Sequence, residues 1–178
     1  MYKEVIDFWF IRLKPEQWWQ KNKALDASIQ CQFRSLHEQA KAGELVTWRE
    51  TTLGSLAEII VLDQFSRNIY RNKPESFACD PLALALAQFA ISKGLDINLP
   101  EKERCFLYLP FMHSESRRIH REAVKLFTSL GNMNHLEFEY KHKAIIDRFG
   151  RYPHRNTILG RTSTTEEIAF LKQPDSSF

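Results

Sequence analysis

Residues 80–94 read DPLALALAQFAISKG, and this stretch sets the fold class. Asp80 followed by Pro81 is the pattern of a helix N-cap with proline at the first helical position, where a missing N–H costs nothing. The apolar run then meets Gly94, a residue suited to the left-handed turn that closes a helix. Helical spacing extends from there in both directions. Upstream, Val5, Trp9 and Leu13 stand four apart with Ile6 and Phe10 beside them, until Pro15 ends the run. A second helix starts near Asp26 as N-cap, turns Ile29, Phe33, Leu36 and Ala40 inward and stops at Gly43. Thr51 or Thr52 caps a third, and Leu53, Leu56, Ile59, Ile60 and Leu62 give it an apolar face wide enough to place it near the centre.

Downstream, Pro100 opens a helix through EKERCFLYL, which Pro110 ends or kinks because it removes a helical hydrogen bond. Ser114 caps the next, which runs to Leu130 before Gly131; Asn134 starts another that reaches Phe149 before Gly150. A last short helix begins at STTEE, where Ser163 with Glu166 and Thr164 with Glu167 both fit a capping box. About eight helices with short connections, and no competing strand pattern, predict an all-α protein of antiparallel hairpins, arranged as a superhelix or a compact bundle. No period recurs at the 34 residues of a helical-repeat array, and no linker interrupts the chain, so residues 1–178 are expected to form a single helical domain.

With 43% apolar and 26% charged residues in 178, the chain can bury a real core. Its 25 basic against 22 acidic residues give a formal charge of +3, too little and too dispersed for a nucleic-acid binder. Cys31, Cys79 and Cys105 form no CxxC pair, so neither a disulfide framework nor a zinc ribbon is indicated. The N-terminus mixes Lys3, Glu4, Asp7 and Arg12 into its apolar residues, unlike a signal peptide. No apolar run approaches the roughly 20 residues of a membrane span. A cytoplasmic protein with no membrane or nucleic-acid partner is expected.

Chemistry-bearing side chains gather at helix ends. In LDQFSRNIYR, Asp63, Arg67 and Arg71 recur every fourth residue on one face, either as an ion-pair ladder or with an arginine left to hold an anion. In RFGRYPHRNTILGR (148–161), Gly150 and Pro153 break helicity, so His154, Arg155 and Asn156 fall in a connection, where binding residues concentrate. Arginine forks suit carboxylate or phosphate, but Arg151, Arg155 and Arg161 equally suit helix C-termini and pairing with Asp63, Asp80 or Glu115. His113 and Glu115, with His154 as a further catalytic candidate, suit an acid–base pair, or metal ligation with His154 or Asp80, but two apart on a helix His113 and Glu115 would diverge by about 200°, so only an irregular turn brings them together. Glu139 and His142 make a single ExxH step, whereas carboxylate-bridged metal bundles need two such steps and two further glutamates. A solvated helix face is the expectation there, and no metal or cofactor is called for. Ser114 has no glycine-rich elbow, glycine-rich phosphate loops are absent, and Trp9, Trp18, Trp19, Phe65 and Phe149 read as core.

In order along the chain, LDQFSRNIYR, FACDPLALALA, LYLPFMHSE and RFGRYPHRNTILGRTSTTEEIAFL, with the opening IDFWF, resemble the motifs of a bacterial family known as domain of unknown function 924. The resemblance covers nearly the whole chain. It implies a tetratricopeptide-repeat-like helical fold and no established activity. By motif match it carries over Asp63, Gln64, Arg67, Asn68, Asp80, His113, Ser114, Glu115, His154, Arg155, Asn156 and Arg161. Two positions depart from the family pattern: Ser66 stands where proline is usual, which should relax the backbone at the helix end, and SRRIHRE after Glu115 is more basic than the usual acidic continuation.

These readings converge on a helical binding domain. Asp63, Arg67, Asn68, Arg155, Asn156 and Arg161 would line a polar pocket for a small anionic metabolite or an acidic peptide end. The alternatives are a hydrolase acting on a phosphorylated or carboxylated metabolite, with His113 and Glu115 as acid and base, and a protein-interaction scaffold.

Overall fold

The computed structural model describes residues 1–174, 176 and 177, and no strand occurs among them. The chain divides into two compact units, Met1–Arg71 with Glu75–Pro110, and Asn72–Pro74 with Phe111–Phe178.

In the first unit, α1 (Tyr2–Asp7) runs into a π-helical turn, Phe8–Arg12, and ends at extended Leu13. Pro15 opens α2 (Pro15–Trp19) rather than only closing the run before it. The cap of α3 (Lys23–Lys41) is Asn22, whose side chain accepts from the amides of Ala24 and Leu25. Asp26 therefore lies inside the helix. Gly43 leaves α3 at φ +77°, as the sequence suggests.

Thr51 caps α4 (Thr52–Ile60), which passes through a π-helical turn, Val61–Phe65, into α5 (Ser66–Ile69) as one rod. Leu56, Ile59, Ile60, Val61, Leu62 and Phe65 are buried in that rod; Leu53 is the exception and stays partly exposed. The rod is central as expected, since α4 packs on α1 and on α6 (Asp80–Ser92), and α3 packs on α5 and the π turn. Cys79 holds the cap position of α6, so Asp80 and Pro81 lie in its first turn. Trp9 packs edge-on against Phe65 and Phe106 in this core. Trp19 departs from expectation: it is exposed and stacks on Phe106 from outside.

The division between units falls inside α7 (Glu101–Met112), which continues one short turn past Pro110. A proline this close to a helix end removes only its own amide bond, which the remaining turn survives. Next, α8 (Arg117–Leu130) starts from Ser116 rather than Ser114 and stops at Gly131. Asn132 caps α9 (Met133–Phe149), accepting from the Asn134 and His135 amides, and Gly150 ends it at φ +71°. The pair α8 and α9 packs as a hairpin. A short 3-10 turn, Pro153–Arg155, then leads to α10 (Thr165–Phe170), where Thr164 and Glu167 form both halves of a capping box.

Ile145, Ile146 and Tyr152 form an apolar cluster with Phe149 and Phe170 packed against it, and α8 buries Ala123, Phe127 and Leu130. Much of what is buried in the second unit is polar, including His120, Glu139, His142, Arg155, Asn156 and Glu167. Cys31, Cys79 and Cys105 are free thiols. Among the described residues no helix is long and apolar enough to cross a membrane.

Candidate functional site

Asp63, Arg67 and Asn68 belong to the first unit, where the rod places them on its polar end. Arg67 Nη1 donates to the Asp63 carbonyl at 2.6 Å, and the guanidinium grips Asp80 through both oxygens at 2.9 and 3.1 Å. Asp80 was expected to cap α6; instead its carboxylate serves an arginine. Asp26, the other expected cap, accepts from Asn68 at 2.9 Å and from both arms of Arg71 at 2.5 and 2.7 Å. Burial raises the Asp26 carboxyl, but the Arg71 and Asn68 hydrogen bonds outweigh it and hold the group below the usual carboxylate range.

Ser66 keeps helical backbone, φ −54° and ψ −45°, so no relaxation follows from the missing proline. Its hydroxyl donates to the Leu62 carbonyl at 2.5 Å and accepts from His37 Nε2 at 2.7 Å. A half-open groove of about 380 Å³ between α1 and α3, lined by Glu4, Arg12, Gln32, Phe33, Leu36 and Gln39 among others, includes none of the candidate residues.

Arg155, Asn156 and Arg161 belong to the second unit with His113, Glu115 and His154. Glu115 sits in the irregular turn between α7 and α8. Its Oε1 accepts from the Tyr152 amide at 2.7 Å, and Arg161 clamps both oxygens at 2.6 and 2.9 Å. Burial raises this carboxyl, yet Arg161 and the Tyr152 amide more than reverse that and lower it. A carboxylate so saturated is a poor general base. Arg161 Nε also donates to Asn156 Oδ1 at 3.0 Å, and Asn156 Nδ2 reaches Ser163 at 3.0 Å. Arg151 clamps Glu167 at 2.7 and 2.8 Å, which holds that carboxyl down at about 2. The positive charge of residues 148–161 is thus largely met by Glu115, Glu166 and Glu167.

Tyr152 is the hub of what remains. Three imidazoles surround its ring, with centroids at 5.5 Å for His154, 5.8 Å for His142 and 6.3 Å for His120. The buried Arg155 guanidinium lies 4.6 Å over the same ring and donates to the His113 carbonyl at 3.1 Å. The Tyr152 hydroxyl donates to the Met112 carbonyl at 2.5 Å. His120 is fully buried between Glu139 Oε1, 2.8 Å from Nδ1, and the Ser114 carbonyl, 2.9 Å from Nε2.

Glu139 and His142 are therefore not on a solvated face: they are 0% and 7% exposed. They share the inward stripe of α9 with Ile145 and Ile146, a phase the single ExxH step did not reveal. Burial pushes His142 down to about 3 despite its hydrogen bond to the Phe138 carbonyl, and nearby His113, His120 and His154 act in the same direction. His113 and His154 are half-buried, the accessible members of the group. Among the described residues no three His, Cys, Asp or Glu side chains are placed to hold a metal ion together.

Tyr152 and His120 were not among the residues expected at a site, whereas Glu139 and His142 stood out in sequence only as an ExxH step on a solvated face. Tyr152 lies within RYPHRN, directly before the residues expected to bind. His120 lies in SRRIHRE, a stretch distinguished in sequence only by its excess of basic residues.

The family model for a bacterial protein of unknown function (DUF924) matches residues 5–175. A solved structure of a protein of unknown function, ATU0120 from Agrobacterium tumefaciens, is similar with a TM-score of 0.91 and 39% identity, covering 96% of this chain and 96% of that one. No curated protein matches the chain.

Proposed function

We propose that this chain, which belongs to the bacterial family of unknown function DUF924, is a cytoplasmic binding domain whose histidine-rich centre takes up a small anion bearing a phosphate or carboxylate group. The observation that carries this reading is the convergence on Tyr152: three imidazoles and the Arg155 guanidinium around one ring, with His113 and His154 partly open to solvent. Neutral imidazole donates one hydrogen bond; protonated imidazole donates two and adds a charge. An anion beside such a group favours the protonated form, so binding takes up protons. Arg161 and Asn156 support the centre by holding Glu115 and the segment after α9 in place.

Binding to the folded state alone raises the melting temperature. Wild type and a His113→Gln/His154→Gln double variant are to be melted with orthophosphate, a sugar phosphate, malonate and citrate between about pH 6 and 8, the range in which an ordinary histidine titrates. At least one anion should raise the wild-type melting temperature, more strongly at the acid end, and the double variant should lose that gain while melting normally without ligand. If no anion stabilises wild type at any of these pH values, the anion-binding reading fails.

A further inference from the structure

We infer that His120 and Glu139 share a single proton inside the folded protein, carried by Glu139 as a carboxylic acid, and that this neutral pair positions the turn presenting His113 and Glu115. Both partners of His120 Nε2 are acceptors. The Ser114 carbonyl at 2.9 Å can only accept, and the Tyr152 hydroxyl at 3.2 Å has already directed its proton to the Met112 carbonyl. Nε2 therefore carries a hydrogen. The 2.8 Å contact between Nδ1 and Glu139 Oε1 then holds one further proton, either on the acid or on an imidazolium.

The second oxygen of Glu139 decides between them. Oε2 is buried, and no described residue donates to it. A carboxylate with one oxygen unpaired in a dry interior is costly, whereas the carbonyl oxygen of a neutral acid is far less so. Burial raises the Glu139 carboxyl accordingly, with His120 and Lys143 pulling the other way. An imidazolium at residue 120 would also stand near His142 on α9, itself close to His113 and His154, and across the Tyr152 ring from the Arg155 guanidinium. A neutral pair avoids repulsion by that guanidinium and by any protonated imidazole of the group.

The pair acts on backbone. His120 and Tyr152 hold the Ser114 and Met112 carbonyls, and between those two residues stands His113, with Glu115 following. The shared proton thus connects α9 and α8 to the turn at the accessible edge of the proposed anion site. The positioning role rests on that reading of the site; the proton assignment does not.

The test uses full-length protein labelled with nitrogen-15 histidine. At neutral pH the His120 resonances should report a neutral ring with hydrogen on Nε2 and a lone pair on Nδ1. The infrared spectrum should show a buried carboxylic acid band that Glu139→Gln removes. A doubly protonated His120 without that band overturns the proton assignment, and the wild-type resonances decide this even if the variant does not fold.

Glutamine can donate to Nδ1 as the acid does. Glu139→Gln should therefore leave the His113 titration midpoint where it is in wild type, while Glu139→Val should displace it and lower the melting temperature by several degrees. Equal displacement in both variants, or none in either, overturns the positioning role. None of these readings needs a ligand, so a silent anion screen would leave them standing.

Discussion

His142 shows how a single buried side chain can set the acid limit of the protein. Its Nδ1–H donates to the Phe138 carbonyl at 2.8 Å, and its folded pKa lies at about 3 against 6.5 for an unburied imidazole. Between those values the unfolded chain binds the proton and the folded chain does not, so unfolding is favoured as pH falls through the window. The contribution of His142 is complete above 6.5 and is lost progressively toward 3. Fully titrated, a shift of this size amounts to on the order of 5 kcal/mol. His142→Gln, which cannot titrate, should flatten the fall of urea-unfolding stability between about pH 7 and 4 relative to wild type. Identical pH dependence in the two proteins would show that His142 is not the group responsible.

The same residue marks what sequence could and could not disclose. Residues 148–161 were legible as a cluster of cations, and Glu115 was legible as a possible partner for Arg161. What could not be read was the phase of α9. Glu139 and His142 sit three apart, and polar residues are normally on the outside. Their place beside Ile145 and Ile146 on the inward stripe follows only from knowing which face packs on α8.

At the scale of elements, punctuation was read well where it is local. Gly43, Gly94, Gly131 and Gly150 all leave their helices with positive φ, as glycines at helix ends do. Thr51 and the Thr164–Glu167 box cap where expected. Asp26 and Asp80 are also cap-type residues, but both carboxylates are taken by arginines that arrive from elsewhere, Arg71 and Arg67. A contact between distant parts of the chain thus overrides a local preference, and nothing near Asp26 in sequence announces it.

Gly54 extends the argument to a close approach. It lies in the first turn of α4, under the 3-10 turn Val46–Glu50, and a Cβ there would stand 2.1 Å from the Trp48 carbonyl oxygen and 2.7 Å from Thr51 Oγ1. Helix propensity alone favours alanine over glycine by about 1 kcal/mol. Forcing a methyl against backbone costs about 1–3 kcal/mol, and a collision this deep belongs at the upper end. Gly54→Ala should therefore lower the denaturation midpoint by about 2 kcal/mol in stability. A stabilised variant would mean that the turn yields easily, and that propensity rules at this position.

Over the whole molecule, the two units are stabilised by different means. The first is built on the aliphatic and aromatic rod of α4 and α5. The second buries Ile145, Ile146 and Tyr152 beside Ala123, Phe127 and Leu130 of α8, and fills out much of its interior with His120, Glu139, His142 and the Arg151–Glu167 and Arg161–Glu115 pairs. Acid acts on these supports together. His142 resists protonation in the folded state, whereas Glu115 and Glu167, held below the ordinary carboxylate range, give up stability as pH falls toward their folded values. The first unit has acid-sensitive groups of its own in His37 and Asp26, and its rod buries Glu58 and Asp63 paired with Arg49 and Arg67, but the rest of the rod's buried face is mainly apolar. Cooperative units open with their own free energies, which amide exchange resolves. Corrected for intrinsic exchange rates, amides of α8 and α9 should lose protection on acidification from about pH 7 to 5 before those of α4. The order follows from composition: protons act most on the unit whose interior holds the imidazoles around Tyr152, while a core chiefly of leucine, isoleucine and phenylalanine offers them less purchase. Simultaneous loss in all three helices would make the chain one cooperative body, with its acid sensitivity shared rather than lodged around Tyr152.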